Sequence, residues 1–276
     1  MSKILITGGN SFIAKSIIPY LTKCNHYIFA PNKTQVNLLN NLDLFDTFNA
    51  DKYDFVIHCA GKGGRRYNKD SEIDFLSNID MLLNLLHYQR KHKFKLIVFS
   101  SGAELDLRNN LFDVHEDYFN SIPIDYYGKF KYLQTKLVEN YLYTYNLRLF
   151  NVFGELGMKD SFIWSCINKC INNEDFEIWN NIYFDVFYSR DLALLIDFLI
   201  KKRDNNFVKL NCVYNEKYTL LDLANKIKNI TNSKSNLIIK NDNKFKNYCS
   251  NGNRLNSLGI KFDGIDNGLV DTINSI

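Results

Sequence analysis

The opening of this chain restricts its fold more than any other stretch. Lys3–Thr7 is a short apolar run that reads as a strand, and Gly8-Gly9-Asn10-Ser11 follows as a turn. Phe12, Ile13, Ile17, Ile18 and Leu21 then recur at helical spacing. Strand, glycine turn and helix, in that order, is the arrangement that binds dinucleotides. The turn must let backbone approach a pyrophosphate, and the helix N-terminus supplies N–H donors and a favourable dipole. The glycine pattern is incomplete, because Ser11 and Ala14 stand where two further glycines are expected. Both are small, so close packing remains available.

The rest of the chain extends the theme. Residues 26–30 read as a second strand, ending in Ala30-Pro31-Asn32-Lys33. An NAD-selective fold places an acid there to hold the ribose hydroxyls. This chain has a cation instead, so Lys33 either meets a 2′-phosphate, which means NADP(H), or is a solvated loop lysine. Residues 54–59 form another apolar strand, with Ala60-Gly61-Lys62-Gly63-Gly64 as a flexible loop at its C-terminal end, where ligands of such sheets bind. Arg65 and Arg66 follow, either to meet a substrate phosphate or to be solvated. An amphipathic helix over 74–92, a strand over 95–99 closed by Ser100-Ser101-Gly102-Ala103, a helix over 127–145 and a strand over 147–151 complete the alternation. Strands alternating with helices predict an α/β fold with a parallel, doubly wound sheet.

Beyond Gly154 the pattern loosens. Helices are expected over 161–171, 191–200 and 218–230, with short strands over 176–179 and 209–213. This predicts a dinucleotide-binding Rossmann domain over 1–153, to which 184–215 return. A smaller interleaved substrate lobe would be made of 154–183 and 216–276.

Composition removes several classes of function. The net charge of +4 comes from 34 basic and 30 acidic residues that are scattered, so no nucleic-acid groove is implied. The apolar runs are too short to span a bilayer and the N-terminus enters a strand directly, so a cytoplasmic protein without membrane partners is expected. The six cysteines form no Cys-x-x-Cys pair and have no histidine at ligand spacing, so buried thiols are expected and no metal site.

The chemistry is carried by Tyr127-Gly128-Lys129-Phe130-Lys131. Tyrosine and lysine four residues apart share one helix face. An ammonium beside a phenol eases proton transfer near neutral pH, which suits carbonyl reduction or alcohol oxidation. A second copy, Tyr132 with Lys136, competes with it. Ser101, at a strand end, can hydrogen-bond the same reacting oxygen as the tyrosine.

These pieces, in this order and over nearly the whole chain, resemble the extended short-chain dehydrogenase/reductases, the nucleotide-sugar epimerases, dehydratases and reductases. The likeness rests on Thr7-Gly8-Gly9-x-x-Phe12-Ile13, Phe99-Ser100-Ser101-Gly102-Ala103, Tyr127-Gly128-x-x-Lys131 and Arg148-Leu149-Phe150-Asn151-Val152-Phe153-Gly154. Later segments, Tyr188-x-x-Asp191-Leu192-Ala193 and Arg254-Leu255-x-x-Leu258-Gly259, fit as well. The 26-residue separation of Ser101 and Tyr127 is usual in the family and selects Tyr127 over Tyr132. Within the family the chain looks most like the GDP-L-fucose synthase branch.

The resemblance implies Ser101, Tyr127 and Lys131 as catalytic residues. It implies cofactor contacts from Gly8, Asn10, Ser11, Phe12, Ile13, Lys33, Asn37, Leu38, Ala60, Gly61, Lys62 and Ser100, besides Tyr127 and Lys131. Substrate contacts would come from Ser101, Gly102, Ala103, Tyr127 and Asn151. The cofactor implied is NADPH, with NAD as the alternative, and the assembly a homodimer using the helix that begins at Tyr127. The chain departs from that branch at the two epimerising positions: Ala103 stands where it has a cysteine, and Phe162 lies where it has a histidine. Phe184 replaces an arginine that often grips the diphosphate, and Glu155 a usual proline. The expected reaction is therefore reduction of the 4-keto group of a nucleotide-linked, GDP-type deoxy sugar or heptose, without epimerisation. The alternatives are an NAD-dependent 4-epimerase and a non-catalytic NADP(H)-binding protein.

Overall fold

The structure, a computed structural model, describes residues 1–64, 69–204, 206, 208–240 and 246–276. In chain order its elements begin with β1 (Lys3–Thr7), α1 (Phe12–Lys23), β2 (Tyr27–Phe29), α2 (Asn41–Ala50), β3 (Phe55–His58), α3 (Glu72–His92) and β4 (Lys95–Ser101). A 3₁₀ turn over Gly102–Glu104 leads to β5 (Leu111–Val114), α4 (Tyr126–Val138), β6 (Thr144–Leu149), β7 (Val152–Phe153), α5 (Phe162–Ile171) and β8 (Phe176–Ile178). Then come β9 (Phe187–Tyr188), α6 (Ser189–Lys202), β10 (Val208–Cys212), α7 (Leu220–Ile230), β11 (Leu237–Ile239), β12 (Tyr248–Ser250), α8 (Asn253–Asn256) and α9 (Gly264–Asn274).

The chain forms two compact units. The first comprises residues 1–106, 119–148 and 193–210; the second comprises 107–118, 149–192 and 211–276. Among the described residues, six strands form a parallel sheet in the order β10-β6-β4-β3-β1-β2. The pairing of Ile4 with both Ile28 and Phe55 places β1 between β2 and β3. The strand order therefore reverses between β1 and β3, the place where sheets of this type open a crevice at their C-terminal ends.

Ile4, Leu5 and Ile6 of β1 and Phe55, Val56 and Ile57 of β3 are buried on both faces, which is why these strands read as unbroken apolar runs. On one face Leu5, Val56, Leu96 and Val98 join Leu44 and Phe48 of α2 and Leu82, Leu85 and Leu86 of α3 in a single core cluster. Val138 belongs to this same cluster, and Leu137 and Tyr141 pack against it. α6 is tied back to the chain's start, where His26 Nε2 meets Asp197 at 2.9 Å and Arg203 donates to Ser2 Oγ at 3.1 Å.

In the second unit α5, α7 and α9 share a core built from Ile163, Cys166, Ile167, Cys170, Leu223, Ala224, Ile227 and Leu269. Three short parallel pairs, β7 with β9, β8 with β11 and β5 with β12, edge it. Asp191 accepts from the backbone N–H groups of Asp263 and Gly264, at 2.8 and 2.9 Å, and so fixes the start of α9. The C-terminal stretch, which reads as short and polar in the sequence, thus contains two strands and two helices among its described residues.

The helix expected over 127–145 ends at Val138, and the strand expected over 147–151 runs from Thr144 to Leu149. Tyr143, in the left-handed region at φ 61°, marks the break. The reason is burial. Thr144-Tyr145-Asn146-Leu147-Arg148 are all buried, so the strand needs polar partners for Asn146 and Arg148.

Those partners form one network. Arg148, 1% exposed, donates through Nε to Glu104 Oε1 at 2.8 Å, and its Nη2 pairs with the same oxygen. The other oxygen of Glu104 accepts from Thr135 Oγ1 at 2.6 Å and from Ser100 Oγ. Asn146 Nδ2 donates to Thr135 Oγ1 at 2.9 Å. The network joins the end of β4, the 3₁₀ turn, α4 and β6. A buried ion pair is costly to break because removing one partner strands the other charge. Arg148→Leu is therefore expected to destabilise the protein by about 3–5 kcal/mol, and Arg148→Leu with Glu104→Leu to recover most of that loss. Urea unfolding of the single and double variants measures it; a double variant no more stable than the single one would refute the account.

Candidate active site

The turn after β1 is built for close approach. Gly8 lies at φ 67°, and a Cβ there would come within 2.7 Å of the Ala60 backbone. A Cβ on Gly9 would lie 2.2 Å from the Ala30 carbonyl oxygen. The two glycines let the ends of β1, β2 and β3 converge. Ser11 caps α1, its Oγ accepting from Ala14 N at 3.3 Å, and Ala14 is buried, so the small side chains at the two missing glycines do fit. Asn10 is exposed on the turn, and Phe12 and Ile13 open the helix half-buried. Thr7 Oγ1 meets His58 Nδ1 at 2.8 Å and accepts from Ala60 N at 3.3 Å. Burial, and then the nearby Lys131 ammonium, push the His58 imidazole down to about 3, so it is neutral at physiological pH.

After β2 the chain folds on Asn32, whose Oδ1 accepts from Thr34 N at 2.9 Å, Thr34 Oγ1 at 2.6 Å and Gln35 N at 3.2 Å. Lys33 stands exposed on this turn with no carboxylate in it. Asn37 Oδ1 accepts from Leu39 N at 3.2 Å, and the Leu38 side chain is in the core. A ligand contact from Leu38 would therefore come from its backbone. Lys62 is fixed on α3: its backbone and Asn78 exchange bonds of 2.8 and 2.9 Å, and its Nζ donates to Ser77 Oγ at 2.9 Å. A Cβ on Gly61 would meet Asn78 Oδ1 at 3.8 Å, an ordinary contact. Arg65 and Arg66 lie outside the described residues.

The catalytic candidates meet at the end of β4. Ser101, 8% exposed, closes the strand, and its Oγ accepts from Ala103 N at 3.1 Å. Tyr127 is hydrogen-bonded to Ser101. Burial raises the phenol above its ordinary value, with Asp70 and Asp125 adding to the rise and the Ser101 bond opposing it. Lys131 lies one turn further, its Nζ donating to Phe99 O at 2.6 Å and standing 5.7 Å from the centre of the Tyr127 ring. Burial lowers this lysine to about 8, against the charges of Glu104 and Cys59. The expected ease of forming phenolate beside Lys131 is thus outweighed by burial: the phenol keeps its proton, as a proton donor must.

Asp125 caps α4 by accepting from Gly128 N at 2.8 Å. A Cβ on Gly128 would lie 2.6 Å from both Ala103 O and Pro123 Cβ, so only glycine lets this helix approach the turn after Ser101. The competing pair is placed elsewhere: Tyr132 packs on Phe119 with ring centres 5.4 Å apart, and Lys136 bridges to Glu139 at 3.1 Å. Ser100 spends its hydroxyl on Glu104, which leaves its backbone for any ligand. Gly102 and Ala103 lie in the 3₁₀ turn. Asn151 belongs to the second unit, where its Nδ2 donates to Asp185 O at 3.3 Å.

Sequence reasoning missed Glu104, Thr135, Asn146 and Asp70. The one available signal was Arg148, a lone charge between Leu147 and Leu149 in an apolar run, which required a buried carboxylate somewhere.

A family model described as the NAD dependent epimerase/dehydratase family matches residues 4–215. Protein CapI of Staphylococcus aureus is 23% identical over 232 residues, covering 72% of this chain and 70% of its own length. Three further curated relatives are matched over 52%, 56% and 62% of theirs. Among solved structures, MlghC, a GDP-mannoheptose C4 reductase from Campylobacter jejuni, superposes with a TM-score of 0.87 at 18% identity, covering 99% of this chain and 98% of that one. The UDP-glucose 4-epimerase of Thermus thermophilus, solved with NAD, gives 0.82 at 16% identity, covering 99% and 98%.

Tyr127→Phe removes the phenol hydroxyl beside Ser101. It is expected to lower kcat by roughly 10²–10⁴-fold, the range for a positioned acid, while cofactor binding survives. Tyr132→Phe should change kcat little. Steady-state kinetics with cofactor titration compares them, and the opposite ranking would unseat the site.

Proposed function

We propose, on the premise that this chain belongs to the NAD dependent epimerase/dehydratase family, that it is an NADPH-dependent reductase of the 4-keto group of a nucleotide-linked sugar. The observation that carries this reading is the Tyr127 phenol, hydrogen-bonded to Ser101 and raised by burial so that it holds its proton. NADPH, when bound, supplies the hydride. Tyr127 gives its proton to the oxygen of the reduced carbon, and Ser101 holds that oxygen by a hydrogen bond, as an oxyanion donor does. Lys131 would hold the nicotinamide ribose.

The residues present fit such a cofactor. The Gly8-Gly9 turn leaves backbone where any side chain would clash, and Ser11 caps the helix behind it. The turn after β2 offers the exposed Lys33 and no acid, which favours a 2′-phosphate. Asn10, Phe12, Ile13, Asn37, Leu38, Ala60, Gly61, Lys62 and Ser100 complete the proposed contacts.

A GDP-linked deoxy sugar or heptose is the substrate class favoured, on the likeness of fold to a GDP-mannoheptose C4 reductase. Gly102, Ala103 and Asn151 join Ser101 and Tyr127 as its proposed contacts. A 4-epimerase using tightly held NAD is the second reading, favoured by the family model's description and by the fold of the Thermus enzyme. NAD retained through purification would support it; consumption of added NADPH supports the reductase. The intact Ser101, Tyr127 and Lys131 weigh against a non-catalytic NADP(H)-binding protein. A homodimer is proposed through α3, where Ile73, Leu76 and Leu83 stay exposed at 72%, 51% and 45%. Among the described residues no helix is long and apolar enough to cross a membrane, and a cytoplasmic location is proposed.

Two experiments test this function. Lys33→Ala should weaken NADPH binding more than NADH binding, because only NADPH carries the phosphate; equal losses in the two titrations would return Lys33 to an ordinary surface lysine. The reaction should also stop at reduction. Ala103 has no ionisable group, and Cys166 is packed in the core of the second unit at 2% exposure with its thiol pushed up by burial. Incubation with a GDP-4-keto sugar and NADP⁺ in D₂O, without a hydride source, is expected to leave the carbons beside the ketone free of deuterium by mass spectrometry. Enzyme-dependent uptake there would mean that a base is present and reduction alone is wrong.

A further inference from the structure

The Tyr127 ring is covered on one side by backbone rather than by side chains. A Cβ on Gly64 would lie 2.6 Å from Tyr127 Cε2 and 3.0 Å from Cδ2 and Cζ, so the glycine lies directly against the phenol ring. Gly63 and Gly64 have φ of 81° and 73°, a left-handed pair that side chains rarely adopt. This turn is held by one group. Gly64 N donates to both oxygens of Asp70, at 2.9 and 3.0 Å, and a Cβ on Gly63 would collide with the same carboxylate at 2.2 Å.

Asp70 is itself well placed to hold. The next residue, Ser71, caps α3: its Oγ accepts from Asp74 N at 3.2 Å while Asp74 accepts from Ser71 N at 3.1 Å, a reciprocal capping box. Phe75, on the first turn of α3, packs on Tyr126 with ring centres 5.9 Å apart. The starts of α3 and α4 are therefore in contact through the residue beside Tyr127.

We propose that Asp70 is a positioning residue for Tyr127: its carboxylate clamps the Gly63-Gly64 turn over the phenol ring, shielding that face from water and holding the hydroxyl at Ser101. The proposal rests on Tyr127 as the proton donor. Among the described residues, the charged and titratable groups facing the phenol are Asp70 before α3, Asp125 at the cap of α4 and Lys131 on α4, with the Ser101 hydroxyl at the end of β4. Of these, Asp70 is the one that also carries a backbone segment against the ring.

The test separates clamp from charge. Asp70→Asn keeps one acceptor for Gly64 N but removes the charge; Asp70→Ala removes both. In each protein, phenolate formation by Tyr127 is followed by ultraviolet difference absorbance against the same protein carrying Tyr127→Phe, with circular dichroism confirming the fold at each pH. The phenol is expected to titrate at lower pH in Asp70→Asn than in wild type, and lower still in Asp70→Ala, where the ring becomes hydrated. Reductase kcat should fall by about 10–100-fold in Asp70→Ala, the scale of a misplaced reacting group, and by less in Asp70→Asn, with the KM for NADPH held within about twofold. Equal shifts in the two variants would leave only the charge and remove the clamp. An unchanged titration in both would overturn the proposal altogether. The titration needs no substrate, so a wild-type enzyme inactive on every 4-keto sugar would count against the reductase reading and not against the clamp.

Discussion

The buried pair between Glu104 and Arg148 is the interaction on which the candidate site depends. Glu104 ends the turn that begins at Ser101, and Arg148 stands on the strand beyond β4 in the sheet. Between them, Thr135 lies one helical turn past Lys131 and bonds the same carboxylate. The end of β4, the helix that carries Tyr127 and Lys131, and β6 thus share one buried carboxylate. In a low-dielectric interior such a pair fixes geometry more than it adds stability, because desolvation offsets most of the Coulomb gain. That trade suits a site assembled from a strand end, a turn and a helix that are far apart in the chain.

Opposed effects decide the state of the phenol. Burial raises it, the Ser101 bond lowers it, and the neighbouring Asp70 and Asp125 raise it further. Lys131, the residue that a helical-face argument makes its activator, directs its ammonium to the Phe99 carbonyl instead. The balance leaves the phenol protonated near neutral pH.

Much of this was legible in the residues. The first strand, the glycine turn and the serine-ended fourth strand are local patterns, and each is set by a run of apolar or small side chains. The sequence separation from Ser101 favours Tyr127 over Tyr132, and Tyr132 and Lys136 pack against Phe119 and Glu139. What was not legible is long-range. The end of α4 is dictated by the burial of Asn146 and Arg148, whose partners lie in other elements. α9 starts where Asp191, 72 residues earlier, caps it. The helical face carrying Leu137 and Val138 faces the unit's own core, because the α2 residues Leu44 and Phe48 do not fill that cluster alone. Asp70 escapes any periodicity argument, since its role is to bond backbone across a loop.

The interleaving of the two units has a consequence for how the protein is made. Most of the edge strand β10 and of the helix α6 belongs to the first unit, yet they follow a long excursion of the chain through the second. Arg203 reaches Ser2 and Asp197 reaches His26 across 201 and 171 residues of chain. A ribosome adding about 5–20 residues per second exposes the first strands for tens of seconds before those partners emerge. From the end of β6 until β10 emerges, the strand edge that β10 will cover is open, and the pairing that closes it is of the slow, non-local kind. The nascent chain is therefore most exposed to mispairing late in synthesis, and a truncation placed after β6 would remove an edge strand of the first unit's own sheet.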